Sequence, residues 1–162
     1  TPDKDPQSNP TLANVTIIGN DFDGEDDSEG VYLREGTGAQ LSNFIITGSD
    51  GMGECFEVED VVESQTNLGD GTITFTNSVI ACSNGENFKN ADGAVDLEEW
   101  FTTTQTGNAV AANRAAVLSD IFTISTATPK DFTGDTFFDN ASFVGAVTED
   151  ANWTAGWTVG LE

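Results

Sequence analysis

The sequence predicts a mainly β protein built from stacked coils, and repeat spacing and composition are the observations behind this prediction. Three stretches begin with Asn and run through a short apolar strand into a small or polar residue, starting at Asn14, Asn43 and Asn77. The starts lie 29 and 34 residues apart, a period typical of stacked repeats. The 17 Gly residues indicate a turn-rich chain. We expect the three Asn residues at equivalent corners, hydrogen-bonding to one another, with Val, Ile and Phe inside.

Charge and missing residue types exclude several classes of function. The 162-residue chain has 28 acidic and five basic residues, which gives a formal net charge of −23. Such a surface repels nucleic acids and anionic membranes, because both bind clustered Lys and Arg. No stretch of the sequence approaches the ~20 apolar residues of a membrane span. The chain has no His, which removes Ser-His-Asp and Cys-His catalytic pairs and most catalytic zinc sites.

Cys55 and Cys82 are 27 residues apart, close to one repeat. We expect a disulfide that ties adjacent coils together, and two buried free thiols are the alternative. A loop of this length contributes about 3–4 kcal/mol in the chain-entropy description. An even cysteine count in an acidic chain rich in Asn, Thr and Gly favours an oxidising compartment. The start at Thr1, without a targeting segment, is typical of a mature or cleaved product.

The chain divides into a lead-in, a coil region and a cap within one domain. Residues 1–11 hold three of the four prolines and predict an extended lead-in. Residues 12–90 predict the coils. The strands are expected over 12–19, 31–34, 40–47, 55–59 and 72–80, with a polar excursion over 63–71.

Residues 91–162 predict a C-terminal cap, because a stack of coils has an open end that exposes its core. Asp92 is placed to cap a short helix over 94–101, and a helical apolar stripe predicts a second helix over 109–122. Beyond Pro129 the tail is irregular and aromatic. Its large rings are Phe132, Phe137, Phe138, Phe143, Trp153 and Trp157. An aromatic ligand site is the alternative interpretation of this tail.

Several pieces together resemble a known family of proteins. They are residues 10–19, Leu-Arg-Glu-Gly-Thr-Gly over 33–38, Cys55, residues 77–82, Glu-Glu-Trp-Phe over 98–101 and the tryptophan-rich stretch 153–158. With these pieces, most of the chain resembles the C-terminal half of large secreted bacterial surface proteins and lipoproteins built as right-handed parallel β-helices. The resemblance implies that fold, a secreted or cell-surface setting of bacterial type, and an N-terminal half with further coils. It implies no catalytic residues.

The acidic run over 20–29 is the first candidate metal site. Its carboxylates include Asp21, Asp23, Glu25, Asp26 and Asp27. Ca²⁺ takes six to eight oxygen ligands, and an ion would relieve the mutual repulsion of so many carboxylates. The spacing does not match an EF-hand, and a solvated acidic loop tip is the alternative.

A second candidate metal site comprises Asn90, Asp92, Asp96 and Glu99, which follow from aligning Gly93 with the glycine of a calcium loop. The first ligand position then falls on Phe88, which cannot bind a metal. Asp92 as a helix cap is the alternative. Arg34 is a possible glycan contact, or else it neutralises Glu35 or an acid of the neighbouring coil. Glu57 and Glu59 share a strand face and form a carboxylate pair compatible with glycoside hydrolysis.

The sequence favours a secreted or cell-surface structural or adhesive module that does not act as an enzyme. Cations would stabilise it, and it would assemble with other chains or into filaments. Copies of itself, an N-terminal half or an extracellular polysaccharide would be its partners. The alternative function is a β-helix protein that binds or cleaves polysaccharides. Enzymes on this architecture bring several basic or carboxylate residues to one groove, whereas Arg34 is the only such residue that the sequence places there.

Overall fold

Short strands dominate the chain, which we describe from a computed structural model for residues 4–19, 28–48, 52–82, 87–89 and 95–158. The strands are β1 (Thr11–Ile18), β2 (Val31–Leu33), β3 (Ala39–Gly48), β4 (Phe56–Val58), β5 (Ile73–Thr76), β6 (Val79–Cys82), β7 (Phe88–Lys89), β8 (Ala109–Val110), β9 (Leu118–Ser119) and β10 (Phe122–Thr123). The helices are α1 (Val62–Asp70) and α2 (Leu97–Glu99), and α2 continues into a π-helical turn, Trp100–Thr104. A 3₁₀ turn spans Arg114–Ala116.

Two parallel sheets are built from strands of successive repeats. Sheet A has the order β1-β3-β6-β8, and β5 also pairs with β3. Sheet B has the order β2-β4-β7. Each repeat therefore supplies sheet A first and sheet B second, and its strands lie beside the equivalent strands of the next repeat. This arrangement fits the predicted parallel β-helix.

The asparagines that lead the repeats occupy equivalent corners, as predicted. Asn14, Asn43 and Asn77 all have the left-handed backbone conformation, with φ of 56°, 58° and 53°. Asn tolerates this conformation better than most residues because its short polar side chain bonds locally. In the register of sheet A, Ala13 faces Ser42 and Val15 faces Phe44, which sets Asn14 beside Asn43. Each left-handed asparagine interrupts the alternation of side chains between the two faces of its strand. Leu41 and Phe44, on either side of Asn43, therefore both point into the main core although they are three positions apart.

The main core lies between the two sheets. It combines Leu41, Phe44 and Ile46 of sheet A with Phe56 and Val58 of sheet B. The ring of Phe75 lies at the centre of an aromatic cluster, edge-on to Phe44, Phe56 and Phe101 with centroids 5.2 to 5.4 Å apart. Such contacts add to the stabilisation that burial alone provides.

The predicted disulfide is confirmed. Cys55 precedes β4 of the second repeat, and Cys82 ends β6 of the third, so the bond joins two neighbouring repeats. Both residues are buried in the main core.

The C-terminal tail packs on the outer face of sheet A. A second apolar cluster there combines Ile45, Val79 and Ala81 of sheet A with Val117, Leu118 and Val144 of the tail. Gly145 donates its N–H to Asn43 O at 2.8 Å, and Ala146 donates to Thr16 Oγ1 at 2.9 Å. The predicted cap therefore divides: its segment from Val117 to Ala146 lies on the outside of sheet A, whereas Leu97, Trp100 and Phe101 pack in the main core.

The predicted helix over 109–122 is wrong. Ala109 and Ala111 donate their N–H groups to Ser78 O and Ile80 O of the third repeat, so this segment starts as strand β8. Hydrogen bonds to a neighbouring strand outweigh a helical stripe, because short helices are marginal without tertiary packing. Val117 and Leu118 of that stripe are buried against sheet A.

Two further helix predictions need correction. The polar excursion predicted over 63–71 is mostly α1, which Gly71 ends in the left-handed conformation common after a helix. The helix predicted to begin at Ala94 under an Asp92 cap begins at Leu97. Asp96 caps it instead, since Asp96 Oδ1 accepts the Glu99 N–H at 3.0 Å.

Candidate functional site

The outer face of sheet B carries a row of polar residues across three repeats. Val31, Phe56 and Phe88 pair in register and point into the core. Because strand residues alternate between faces, the next residue of each strand points outward. These residues are Tyr32, Glu57 and Lys89, aligned side by side.

Three glutamates meet beside this row, and we call Glu29, Glu54 and Glu57 the glutamate cluster. One carboxylate oxygen from each lies within 4.8 Å of the other two. The backbone brings Glu29 and Glu54 together just before β2 and β4, where the Gly30 N–H donates to Glu54 O at 2.9 Å. The cluster thus depends on the parallel pairing of the first and second repeats.

Lys89 supplies the positive charge of this cluster. Its Nζ lies 3.4 Å from Glu57 Oε2 and 3.6 Å from Glu54 Oε1. The Glu54 carboxylate, followed by that of Glu57, raises the pKa of Lys89 above its usual value, while burial opposes the rise. The ammonium group is therefore held firmly in its charged form.

Burial sets Glu54 and Glu57 apart from the other acidic residues that the structure describes. Glu54 is 8% exposed and Glu57 is 4% exposed. Glu57 Oε2 is fully buried and accepts no hydrogen bond of normal geometry, so the Lys89 ammonium at 3.4 Å is an ion-pair contact. A buried carboxylate costs desolvation energy that an ion pair only partly offsets. Replacing a buried ion pair with apolar residues is often neutral or stabilising, so stability alone does not account for these charges.

Tyr32 and Arg34 border the cluster on β2 and its following turn. Burial, followed by the nearby Glu57 carboxylate, raises the pKa of the Tyr32 hydroxyl. The Arg34 guanidinium lies 5.2 Å from the centroid of the Tyr32 ring, within reach of a cation–π contact. Its Nε lies 3.9 Å from Glu59 Oε1, and Glu59 Oε2 accepts the Glu35 N–H at 2.7 Å. Arg34 therefore pairs with an acid of the neighbouring repeat.

The glutamate cluster has the ligand type that suits a hard cation. Ca²⁺ takes six to eight oxygen ligands, and three carboxylates could provide part of such a shell. The Lys89 ammonium, however, already lies against two of the three. A metal ion would have to displace it.

Most of the residues predicted as metal ligands fall outside the part of the chain that the structure describes. Asp21, Asp23, Glu25, Asp26 and Asp27 lie outside the described residues, as do Asn90 and Asp92 of the second candidate. Asp96 is described, and its carboxylate caps α2. Both sites stay predictions.

Sequence reasoning missed the glutamate cluster and its lysine. The sequence pairs Glu57 only with Glu59, two positions along the same strand face. The missing signal was the alignment of Val31, Phe56 and Phe88, which sets the register and brings Lys89 beside Glu57. Strands of two or three residues are too short to show this alignment by their own pattern.

Comparison with protein families identifies the fold family. A family model for the pectate-lyase-like beta helix domain matches residues 2–158. The chain belongs to this family. No curated protein and no solved structure matched the chain. In this pectate-lyase-like β-helix domain, the polar row and the glutamate cluster therefore lie on the outer face of a β-helix sheet.

One feature of this β-helix domain is compatible with an extracellular location. The Cys55–Cys82 disulfide is of the kind that persists in oxidising compartments. Within the described ranges, every helix is too short or too polar to cross a lipid bilayer.

Proposed function

We propose that this β-helix domain is a secreted or cell-surface module that binds an extracellular polysaccharide on the outer face of sheet B. The observation that carries the proposal is the convergence of the glutamate cluster on Lys89, whose side chain is 43% exposed. Carboxylates accept hydrogen bonds from sugar hydroxyls, and the ammonium group donates them. The family match supports a saccharide as the ligand class.

The charge of the face favours a neutral polysaccharide. The three glutamates and Lys89 together have a net charge of −2, because three negative charges meet one positive charge. Arg34 and Glu59 add nothing to this sum, since their charges cancel. The whole chain adds to this field with its net charge of −23. Acidic polysaccharides are therefore repelled unless a divalent cation bridges them to the carboxylates.

The position of the face also supports binding. The outer face of sheet A is covered by the tail, whereas the Lys89 side chain on sheet B is 43% exposed. The three parallel strands of sheet B repeat one spacing, which suits a chain of repeating units. We propose binding without cleavage, in keeping with an adhesive role.

Affinity electrophoresis through gels that contain xylan, glucomannan, alginate or polygalacturonate tests the proposal. We expect a neutral polysaccharide to retard the wild-type protein. Glu57→Gln and Lys89→Met should each weaken that binding about 10-fold or more, equivalent to about 1.4 kcal/mol. Glu98→Gln, a charge-matched change on the exposed face of α2, should leave it unchanged.

Other outcomes separate the alternatives. Equal retardation of all variants, or none in any gel, contradicts the proposed site. Binding of alginate or polygalacturonate only with Ca²⁺ present would show that an ion displaces Lys89. An increase in reducing ends or in unsaturated products would replace the adhesive role with the enzymatic alternative.

A further inference from the structure

Two tryptophans near the end of the described tail form an exposed pair. Trp153 and Trp157, here called the tryptophan pair, are 59% and 66% exposed. Their ring centroids are 5.4 Å apart and the rings are tilted by 37°. Large aromatic side chains are usually buried, so an exposed pair indicates a contact surface for a ligand.

Hydrogen bonds hold both rings in place. Trp153 donates its indole N–H to Ala146 O at 2.9 Å, and Trp157 donates to Trp153 O at 2.6 Å. The supporting loop is fixed in turn, because Thr154 is buried and accepts the Thr158 N–H through its carbonyl. The indole N–H groups are used internally, so the pair offers its ring faces to a ligand. Fixed rings lose little entropy on binding.

A cavity of about 320 Å³ adjoins Trp153. It lies between β1 and the tail, with Thr16, Ile18, Ile121, Val147, Trp153 and Thr154 among its lining residues. None of the lining residues carries a charged side chain. The volume is at the small end of the range for ligand sites, so it suits one ring-sized unit.

These features define the chemistry of the ligand. The lining has no charged group to pair with an ionic ligand, and the net charge of −23 repels anionic ones, so a neutral ligand is favoured. Flat ring faces stack against a flat apolar surface, and threonine hydroxyls at the cavity provide hydrogen-bond groups for hydroxyls. A pyranose ring has both an apolar C–H face and peripheral hydroxyls.

We propose that the tryptophan pair is a stacking subsite for a neutral oligosaccharide, with one sugar ring on the exposed indole face and the adjoining unit in the cavity. This inference goes beyond the proposed function, because it places a saccharide at the tail that covers sheet A and not on sheet B. It stands on the ring geometry and the cavity, independently of the glutamate cluster. Two sites on one module would increase the avidity for a polysaccharide long enough to reach both.

The test measures the binding of cellohexaose, xylohexaose and mannohexaose to the full chain. Binding is monitored by tryptophan fluorescence and by calorimetry. The third tryptophan, Trp100, is only 4% exposed and serves as an internal reference. We expect at least one oligosaccharide to change the emission and to protect the pair from iodide quenching. Trp153→Ala and Trp157→Ala should each weaken binding about 10-fold or more, equivalent to about 1.4 kcal/mol. Trp157→Phe should retain part of the affinity.

Controls distinguish this site from its alternatives. Phe137→Ala removes another exposed aromatic ring, 84% exposed, and should leave oligosaccharide binding unchanged. Circular dichroism and melting curves show whether each variant is folded. Millimolar oligosaccharides without any effect on the wild-type protein overturn the proposal. Protection by tetramethylammonium instead of a sugar also overturns it and indicates a cation site. Glu57→Gln should not change oligosaccharide binding at the pair, so the two proposals can fail separately.

Discussion

Asn43 donates its side-chain amide to Asn14 Oδ1 at 3.1 Å, which joins the corners of the first two repeats. The same corners hold the tail. Asn77 Nδ2 donates to Thr128 O, the Lys130 N–H donates to Asn43 Oδ1 at 2.7 Å, and Asn14 Nδ2 donates to Phe143 O. The tail therefore runs back along the asparagines from the third repeat to the first. The residues that shape the repeats also fix the segment that covers sheet A.

Replacing Asn43 should destabilise the protein in two separable ways. Asn43 is fully buried and has φ of 58°. Asn43→Ala keeps a β-carbon in the left-handed region but loses the polar side chain that lets Asn tolerate this conformation, at a cost of up to about 1–2 kcal/mol. It also leaves buried polar groups without partners, at about 1–3 kcal/mol. Asn43→Gly loses the same hydrogen bonds but has no β-carbon to strain the left-handed backbone.

Urea unfolding measures both terms. The difference between Asn43→Ala and Asn43→Gly gives the backbone term, and Asn43→Ala against wild type contains the loss of the Asn43 hydrogen bonds. Thr103→Ala on the exposed side of the π-helical turn is the control. If Asn43→Ala is as stable as wild type, the hydrogen bonds of Asn43 contribute no net stability.

A glycine takes the corner of the fourth repeat. Val79 pairs with Ala109, which aligns Gly107 with Asn77, and Gly107 has φ of 74°. A β-carbon on Gly107 would lie 2.6 Å from Asn77 Nδ2. We expect Gly107→Ala to lower the free energy of unfolding by about 1–2 kcal/mol or more, because a residue with a β-carbon is strained in the left-handed conformation.

A glycine-to-alanine change at a position with open surroundings separates the backbone cost from the steric clash with Asn77. Gly134 has φ of 87° and no atom near its virtual β-carbon, so Gly134→Ala carries the backbone cost alone. Thermal unfolding of the two variants should show Gly107→Ala as the less stable. Equal melting temperatures would mean that Asn77 moves away at no cost.

The corners show why part of the fold was predictable. An asparagine that tolerates positive φ, followed by an apolar strand, is a local pattern visible at Asn14, Asn43 and Asn77. The fourth corner has no such pattern, because Gly107 lacks a side chain and β8 has only two residues. The stripe that includes Val117 then indicated a helix, although its apolar residues face sheet A.

The candidate site was hidden for a different reason. Tyr32, Glu57 and Lys89 are three unlike residues, so no repeat of residue type marks them. Only the register of sheet B aligns them, and the register depends on hydrogen bonds between distant segments.

The disulfide should contribute measurably to stability. In the chain-entropy description, a 27-residue loop gives about 3–4 kcal/mol. Alkylation in denaturant without reductant should add no mass, and reduction should lower the melting temperature. Cys55→Ser with Cys82→Ser should reproduce the reduced protein. Two added alkyl groups without reductant would show free thiols in the isolated protein.

Calcium binding by the acidic run over 20–29 stays a prediction. An ion bound only by the folded state, at 100 times its dissociation constant, adds about 2.7 kcal/mol. We expect Ca²⁺ to raise the melting temperature more than NaCl of equal ionic strength. Asp21→Asn with Asp23→Asn should abolish the difference. Loss of the effect in Glu57→Gln instead would move the ion to the glutamate cluster, and equal effects of Ca²⁺ and NaCl would leave only charge screening.

The ion pairs of Lys89 predict a loss of stability at alkaline pH. Glu54, then Glu57, raises the pKa of Lys89 in the folded state, so its contribution is complete below the unfolded value of about 10.4. That contribution is lost as the pH rises through the folded value. The raised pKa of Tyr32 acts in the same direction from about pH 10.

Urea unfolding between about pH 9 and about pH 11 should show a steeper decline of the free energy of unfolding in wild type than in Lys89→Met. Lys130→Met, which removes a lysine outside the cluster, should keep the wild-type slope. An unchanged slope in Lys89→Met would mean that the three carboxylates do not depend on this ammonium group.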